Sequence, residues 1–174
     1  MRSYDLYDGP HGQMLLAAND AGIAGVYFDG QKYFPRREEQ WRRDGRHALL
    51  RQAKRELIEY FAGERERFEV ALAPQGTSFQ RAVWKAISTV GFGQTISYGE
   101  LAQRAGFPGS ARATGAATGR NPIGIIVPCH RIVGSNGSLT GYAGGLARKR
   151  ALLALEARDR GLFSNTGIHS GRLN

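Results

Sequence analysis

The stretch Ile125-Ile126-Val127-Pro128-Cys129-His130-Arg131 holds the residue types best suited to chemistry. An apolar run delivers the chain to a cysteine, and a histidine and an arginine follow at once. The thiolate is the reactive form of cysteine, and neighbouring cations and bases favour it. Downstream, Glu156 sits in the otherwise apolar run Leu152-Leu153-Ala154-Leu155-Glu156. A carboxylate there is able to orient a histidine, which can then take the thiol's proton directly or through a water. Nucleophile, base and orienting acid are thus all present. A lone cysteine in a core is also commonly an inert small hydrophobe. Spacing alone does not bring Glu156 to His130, so both readings stay open at this point.

Cys129 is the only cysteine among 174 residues. It cannot form an internal disulfide or supply a multi-thiolate zinc site. The histidines His11, His47, His130 and His169 are scattered, so no metal and no cofactor are expected. Lys and Arg number 24 against 15 Asp and Glu, a formal charge of +9. Such an excess suits a polyanion through phosphate contacts, although small proteins are often simply basic. No run of about 18 apolar residues occurs, so neither a transmembrane helix nor a membrane partner is expected. The start Met1-Arg2-Ser3-Tyr4-Asp5 lacks the pattern of a signal peptide. A cytoplasmic protein is the expectation.

The elements that must position this chemistry can be read from periodicity and turn residues. Residues 13–18 and 23–28 are apolar-rich and flank Asn19-Asp20-Ala21-Gly22, which predicts a hairpin. Residues 35–47, rich in arginine, read as an exposed connection. Leu50, Ala53, Leu57 and Phe61 recur at helical spacing, with Gly63 as a stop. Arg67 to Leu72 alternates and reads as a strand. Pro74-Gln75-Gly76 breaks the chain. The organisation is therefore an α/β N-terminal lobe at 1–75, a mainly α-helical C-terminal lobe at 76–160 and a loose polar tail at 161–174.

In the second lobe, Thr77-Ser78-Phe79-Gln80 fits a capping box, and Phe79, Val83 and Ile87 mark one helical face. Ser97-Tyr98-Gly99-Glu100 fits another and opens a short helix to Ala105. Gly106-Phe107-Pro108-Gly109 is a tight turn, and Ser110 can cap the next helix, which runs to about Gly119. Two short helices about such a turn form a helix-turn-helix pattern. Leu146 to Ala157 is a further helix. The second helix of the pair carries Ala111, Ala113, Gly115, Ala116, Ala117 and Gly119, so it is nearly bare of bulk. It can approach a neighbouring helix or a narrow nucleic-acid groove. Arg112 stands near its start and Arg120 at its end. A lone arginine on a helix is usually a solvated charge, but its place in a helix-turn-helix favours DNA.

Together these motifs resemble the O6-alkylguanine-DNA alkyltransferases. The resemblance is carried by Pro128-Cys129-His130-Arg131, by Gly119-Arg120-Asn121-Pro122 before it and by Gly141-Tyr142-Ala143-Gly144-Gly145 after it. Phe79 to Trp84, Ser97-Tyr98-Gly99 and Pro108 to Ala113 fall in the family's order and spacing. The match is strong over about 76–158 and weak over the first lobe. It implies a ribonuclease-H-like first lobe and a winged-helix-like second one. It also implies DNA repair: Cys129 takes the alkyl group from guanine O6, and in some cases O4-alkylthymine, keeps it, and each molecule acts once. A lowered thiol pKa would make the nucleophile available at neutral pH.

The resemblance also assigns roles. Glu156, His130 and Cys129 form the proton relay, and Asn121 ties the recognition helix to the active-site turn. Tyr98 hydrogen-bonds the guanine and lies where the phosphate rotates during base flipping. Arg112 enters the base stack, on a face shared with Ser110, Ala111, Ala113, Thr118 and Arg120 that lies in the minor groove. Tyr142, Ala143, Gly144 and Ile132 surround the base, with Gly144 keeping the loop open. Arg131 is expected to pair with an acidic side chain inside the lobe. The chain departs from its relatives at Ala143 (often serine), Thr114 (often valine) and Thr118 (often asparagine or bulkier). No zinc ligand set or phosphotriester-repair domain is found, which points to a stand-alone repair protein. Its implied partner is double-stranded DNA carrying O6-alkylguanine. It is expected to bind as a monomer, with cooperative binding a second mode. Two rivals remain: a lesion sensor without transfer, against which Cys129 stands, and a cysteine hydrolase, which would turn over.

Overall fold

The computed structural model describes residues 2–36 and 39–170, with backbone alone for 159–170. The first lobe is built on β1 (Arg2–Gly9), β2 (Gly12–Ala18), β3 (Ile23–Phe28) and β4 (Trp41–Arg43). The expected hairpin is β2–β3. Its turn closes because the Asn19 side chain accepts from the N–H groups of Ala21 at 2.8 Å and Gly22 at 3.1 Å. The sheet order is β3-β2-β1-β4, with β1 antiparallel to β2 and parallel to β4. Thus 35–47 is not wholly an exposed connection, since β4 lies inside it. Strand β1 also escapes apolar patterning, because it carries Asp5, a buried acid that accepts from Lys54 at 2.6 Å and Arg43 at 3.3 Å.

Helix α1 (Ala48–Phe61) buries Leu50, Ala53, Glu56, Leu57 and Tyr60. Residues 67–72 do not form the expected strand. Only Leu72 bridges, to Ile23. The backbone N–H groups of Glu69 and Val70 donate instead to the buried Glu56 carboxylate, at 2.9 and 3.1 Å. A side chain has taken donors that a ladder would have used.

The second lobe contains α2 (Ser78–Ile87), β5 (Ile96–Ser97), α3 (Tyr98–Arg104), α4 (Ala111–Gly119), β6 (Ile132–Val133) and α5 (Leu146–Ser170), with β5 and β6 paired in parallel. The Thr77–Gln80 capping box is complete. That at Ser97 is half made: Ser97 accepts from the Glu100 N–H, whereas the Glu100 carboxylate pairs with Arg104 at 3.1 Å. Ser110 makes no side-chain cap. Gly106 and Gly109, at φ 88° and 83°, turn the chain between α3 and α4 through conformations that suit glycine. Helix α5 continues to Ser170 instead of ending near Ala157. No proline interrupts 158–170, so no N–H is missing from the helix there. The last four residues of the expected loose tail, 171–174, lie outside the described residues. An α/β lobe followed by a mainly helical lobe with a helix-turn-helix is the predicted fold class.

One apolar cluster runs through both lobes, from Met14, Leu16 and Val26 to Val127, Ile132 and Leu152. The lobes also join through backbone. The Val26 N–H donates to Pro122 O at 2.9 Å, and the Gly124 N–H donates to Val26 O at 3.0 Å. A Cβ at Gly124 would lie 3.2 Å from Val26 O, so glycine permits this approach. The segment leading to Cys129 is thereby docked on the edge of β3.

Candidate active site

Cys129 opens a single 3-10 turn, Cys129–Arg131, between the docked segment and β6. Asn121 shapes the approach. Its amide donates to Val127 O at 2.8 Å, and its carbonyl accepts from the Ile123 N–H at 2.9 Å. Within this staple Ile125 is held at φ 68°, a conformation that a β-branched residue adopts only under constraint. Asn121 also favours the ionised form of the Cys129 thiol, against the effect of burial. It therefore braces the segment that leads into the turn.

Helix α5 supplies the other half of the site. His130 and Glu156 are fully buried, and His130 Nε2 lies 2.9 Å from Glu156 Oε1. Arg131 Nε donates to both carboxylate oxygens at 3.1 Å, and Nη2 donates to Oε1 at 2.7 Å. Its Nη1 donates to Val90 O at 2.7 Å. Arg131 is thus the internal partner that its sequence position suggested. The Tyr60 hydroxyl and the Gly93 N–H also donate to Glu156, at 3.0 and 3.3 Å. Burial pushes the Glu156 carboxyl up, but the hydrogen bonds and charges of His130 and Arg131 outweigh it and hold the group at about 2. Burial lowers His130 below its ordinary value, and the opposing pull of Glu156 does not reverse this. At neutral pH the pair is therefore carboxylate and neutral imidazole. An ionised Glu156 accepts the Nε2 hydrogen, which leaves the lone pair on Nδ1. Nδ1 is buried and has no partner.

The thiol itself departs from expectation. Burial pushes Cys129 up, and the Asn121 hydrogen bond and the Lys149 charge offset this only in part. The resting sulfur is a neutral thiol, not a preformed thiolate. Its proton must move as part of the reaction.

Lys149 escaped sequence reasoning. It is fully buried on α5 and donates to Ile132 O and Thr140 O at 2.6 Å each and to Gly141 O at 3.3 Å. It pins the loop after β6 and places a charge near the sulfur. Helical spacing offered a signal: Lys149, Leu152 and Glu156 share one buried face.

Cys129 lines a cleft of about 370 Å³ together with Tyr98, Tyr142, Ala143, Gly141 and the small residues Gly115, Ala116 and Gly119 of α4. Burial raises the Tyr142 phenol well above its ordinary value, and it stays protonated. Tyr98 accepts a long hydrogen bond from Thr140 at 3.4 Å. Ile132 and Gly144 do not line the cleft. Ile132 is fully buried in β6. A Cβ at Gly144 would come within 3.0 Å of Tyr142 and Phe28, so this glycine serves close packing. Two lining residues, Lys32 and Tyr33, come from the first lobe. No local pattern marks them, since their place depends on how the lobes pack.

Helix α4 divides cleanly. Thr114, Ala117 and Thr118 are buried, whereas Ala111, Arg112, Ala113 and Ala116 are exposed. The Trp84 indole donates to Ala117 O at 2.8 Å and seats the helix on α2. Thr118 does not join the outer face. Its hydroxyl donates to Thr114 O at 2.8 Å, and it lines the cleft from within. Arg120 lies with its guanidinium carbon 3.7 Å from the centroid of the Tyr33 ring. Ala111, Arg112, Ala113 and Ala116 together leave an exposed face of small residues around one arginine.

Among the described residues no helix is long and apolar enough to cross a membrane, and no three His, Cys, Asp or Glu side chains are grouped to hold a metal ion.

Residues 78–158 match the family model for the 6-O-methylguanine DNA methyltransferase DNA binding domain, and residues 3–74 match that for its ribonuclease-like domain. A methylated-DNA–protein-cysteine methyltransferase of Mycolicibacterium paratuberculosis is 46% identical over 158 residues, covering 91% of this chain and 94% of its own length. One from Methanosarcina acetivorans is 46% identical over 153 residues, covering 88% and 97%. Among solved structures, the Mycobacterium tuberculosis O6-methylguanine methyltransferase superposes with a TM-score of 0.83 at 46% identity, covering 91% and 94%. The Mycobacterium tuberculosis OGT in complex with DNA gives 0.82 at 44%, covering 90% and 94%.

Proposed function

Because this chain belongs to the 6-O-methylguanine DNA methyltransferase family, we propose that Cys129 is the acceptor through which it repairs DNA, taking the alkyl group of O6-alkylguanine irreversibly. The observation that supports the assignment is that Cys129 lines a cleft, with the next residue, His130, held against the buried Glu156 carboxylate. The thiol proton passes to His130 Nδ1, directly or through a water. The sulfur bonds the alkyl carbon, the carbon–O6 bond breaks and guanine leaves with the electron pair. The phenol of Tyr98, on the cleft wall, hydrogen-bonds the departing base in this reading. A soft sulfur suits attack at saturated carbon, and no cofactor is required.

Arg112 and the small residues of α4 form the surface for the minor groove, with Ser110, Ala111 and Ala113 against the backbone. Arg112 fills the gap left by the extruded nucleotide and offsets part of the few kcal/mol of unstacking. All these groups come from one chain, so one molecule suffices to act on double-stranded DNA.

Incubation with duplex DNA holding one O6-methylguanine is expected to add a single methyl mass to the peptide containing Cys129, at most once per chain. Repeated turnover would refute the assignment. Arg112→Ala is expected to slow duplex repair by about tenfold or more while leaving reaction with the free O6-methylguanine base near normal. Equal loss on both substrates would exclude a role in base extrusion.

A further inference from the structure

The cleft holding Cys129 has a wall from the first lobe. Tyr33 lies in the turn after β3, in a left-handed conformation with φ 60°, and lines the cleft with Lys32. The turn is fixed from three sides. Gln31 accepts from the Phe28 N–H at 2.8 Å. The Lys32 N–H donates to Ala143 O at 3.0 Å, which latches the turn to the loop that carries Tyr142. The Arg120 guanidinium lies over the Tyr33 ring at 3.7 Å, with the Lys32 ammonium 5.1 Å from the same centroid. The ring is 45% exposed, yet it is held against the cleft by the end of the recognition helix.

A bulky residue at positive φ persists only where its surroundings fix it. No packing need of the core explains this one, since the ring is half in solvent. What the ring does is bound space. The α4 side of the cleft offers only small residues, and Tyr98 and Tyr142 belong to the reaction itself. The structure assigns Tyr33 as a specificity-determining residue that limits the size of the O6 substituent able to reach Cys129, an inference that rests on the transfer reading above. A methyl group leaves the wall untouched. A butyl or benzyl group takes up more of the same cleft, of which the Tyr33 ring is one wall.

Tyr33→Gly removes the ring and suits the left-handed backbone, so it does not threaten folding. The measurement is the single-turnover rate of transfer from duplexes containing O6-methyl, O6-butyl or O6-benzylguanine. The benzyl-to-methyl and butyl-to-methyl rate ratios are compared between proteins, which cancels the intrinsic reactivity of each group. Both ratios are expected to rise by about tenfold or more in Tyr33→Gly and to stay near the wild-type values in Tyr33→Phe, which keeps the ring. Ratios that do not change in Tyr33→Gly, or that change as much in Tyr33→Phe, would overturn the assignment. A wild-type protein that accepts no methyl group would overturn the transfer reading and this inference with it.

Discussion

Cys129→Ser is expected to end alkyl transfer, with a rate loss on the order of 10³-fold or more, while DNA binding persists. The hydroxyl is a poorer nucleophile toward saturated carbon, and in a buried site it is still harder to deprotonate than the thiol it replaces. Nothing on the exposed face of α4 changes, because Cys129 lies in the 3-10 turn behind it. The check is paired: label transfer from O6-methylguanine DNA, and binding of the same duplex by fluorescence anisotropy. A serine variant that still demethylates DNA would place the acceptor elsewhere.

Glu156→Gln is expected to damage both stability and rate. The carboxylate accepts from Arg131, Tyr60 and Gly93 in a fully buried setting. An amide nitrogen would face those donors, and the Arg131 charge would lose its counter-charge. Breaking a buried pair in this way costs about 3–5 kcal/mol, which urea denaturation will read. The rate effect arises through tautomer. A glutamine can donate to Nε2, which moves the imidazole hydrogen to Nδ1 and removes the base. A loss of about 10²–10⁴ in single-turnover rate is expected, by analogy with other misoriented catalytic histidines.

The same variant separates two limbs of the acid response. His130 is depressed below 6.5 in the folded state, so its contribution is complete above that value and declines as pH falls below it. Glu156 is depressed from 4.5 to about 2, so its contribution is complete above 4.5 and declines toward 2. Stability therefore falls with acidification in both windows, and the Glu156 limb is worth about 3 kcal/mol. In Glu156→Gln the lower limb is expected to vanish. A variant that keeps wild-type stability, rate and both limbs would dissolve the proposed relay.

Much of this architecture is legible in the residues, and the exceptions share a cause. The β2–β3 hairpin and the α3–turn–α4 pair rest on local chemistry: an asparagine that closes its own turn, two glycines at left-handed positions and apolar spacing. Strand β4 is three residues long and carries two arginines, so only its pairing with β1 defines it. The alternation at 67–72 is a strand pattern, yet Glu56, more than ten residues earlier, claims the backbone. At the site, Cys129, His130 and Glu156 stand out as types able to act together. Lys149 does not, because a lysine on a helix ordinarily reads as solvated, and its spacing from Leu152 and Glu156 is a faint signal beside the three carbonyls that converge on it. The Lys32–Tyr33 wall depends on lobe packing and has no local signature.

The raised pKa of the thiol bears on how this molecule waits. A reagent consumed by one event has no second chance if peroxide or a stray electrophile reaches it first. Oxidation and adventitious alkylation both proceed through the thiolate. Cys129 is kept protonated and only 8% exposed, so the idle protein holds its sulfur in the least corruptible form. Shelf life and reactivity are thus reconciled in one turn of chain, with a base on the next residue instead of a charge on the sulfur.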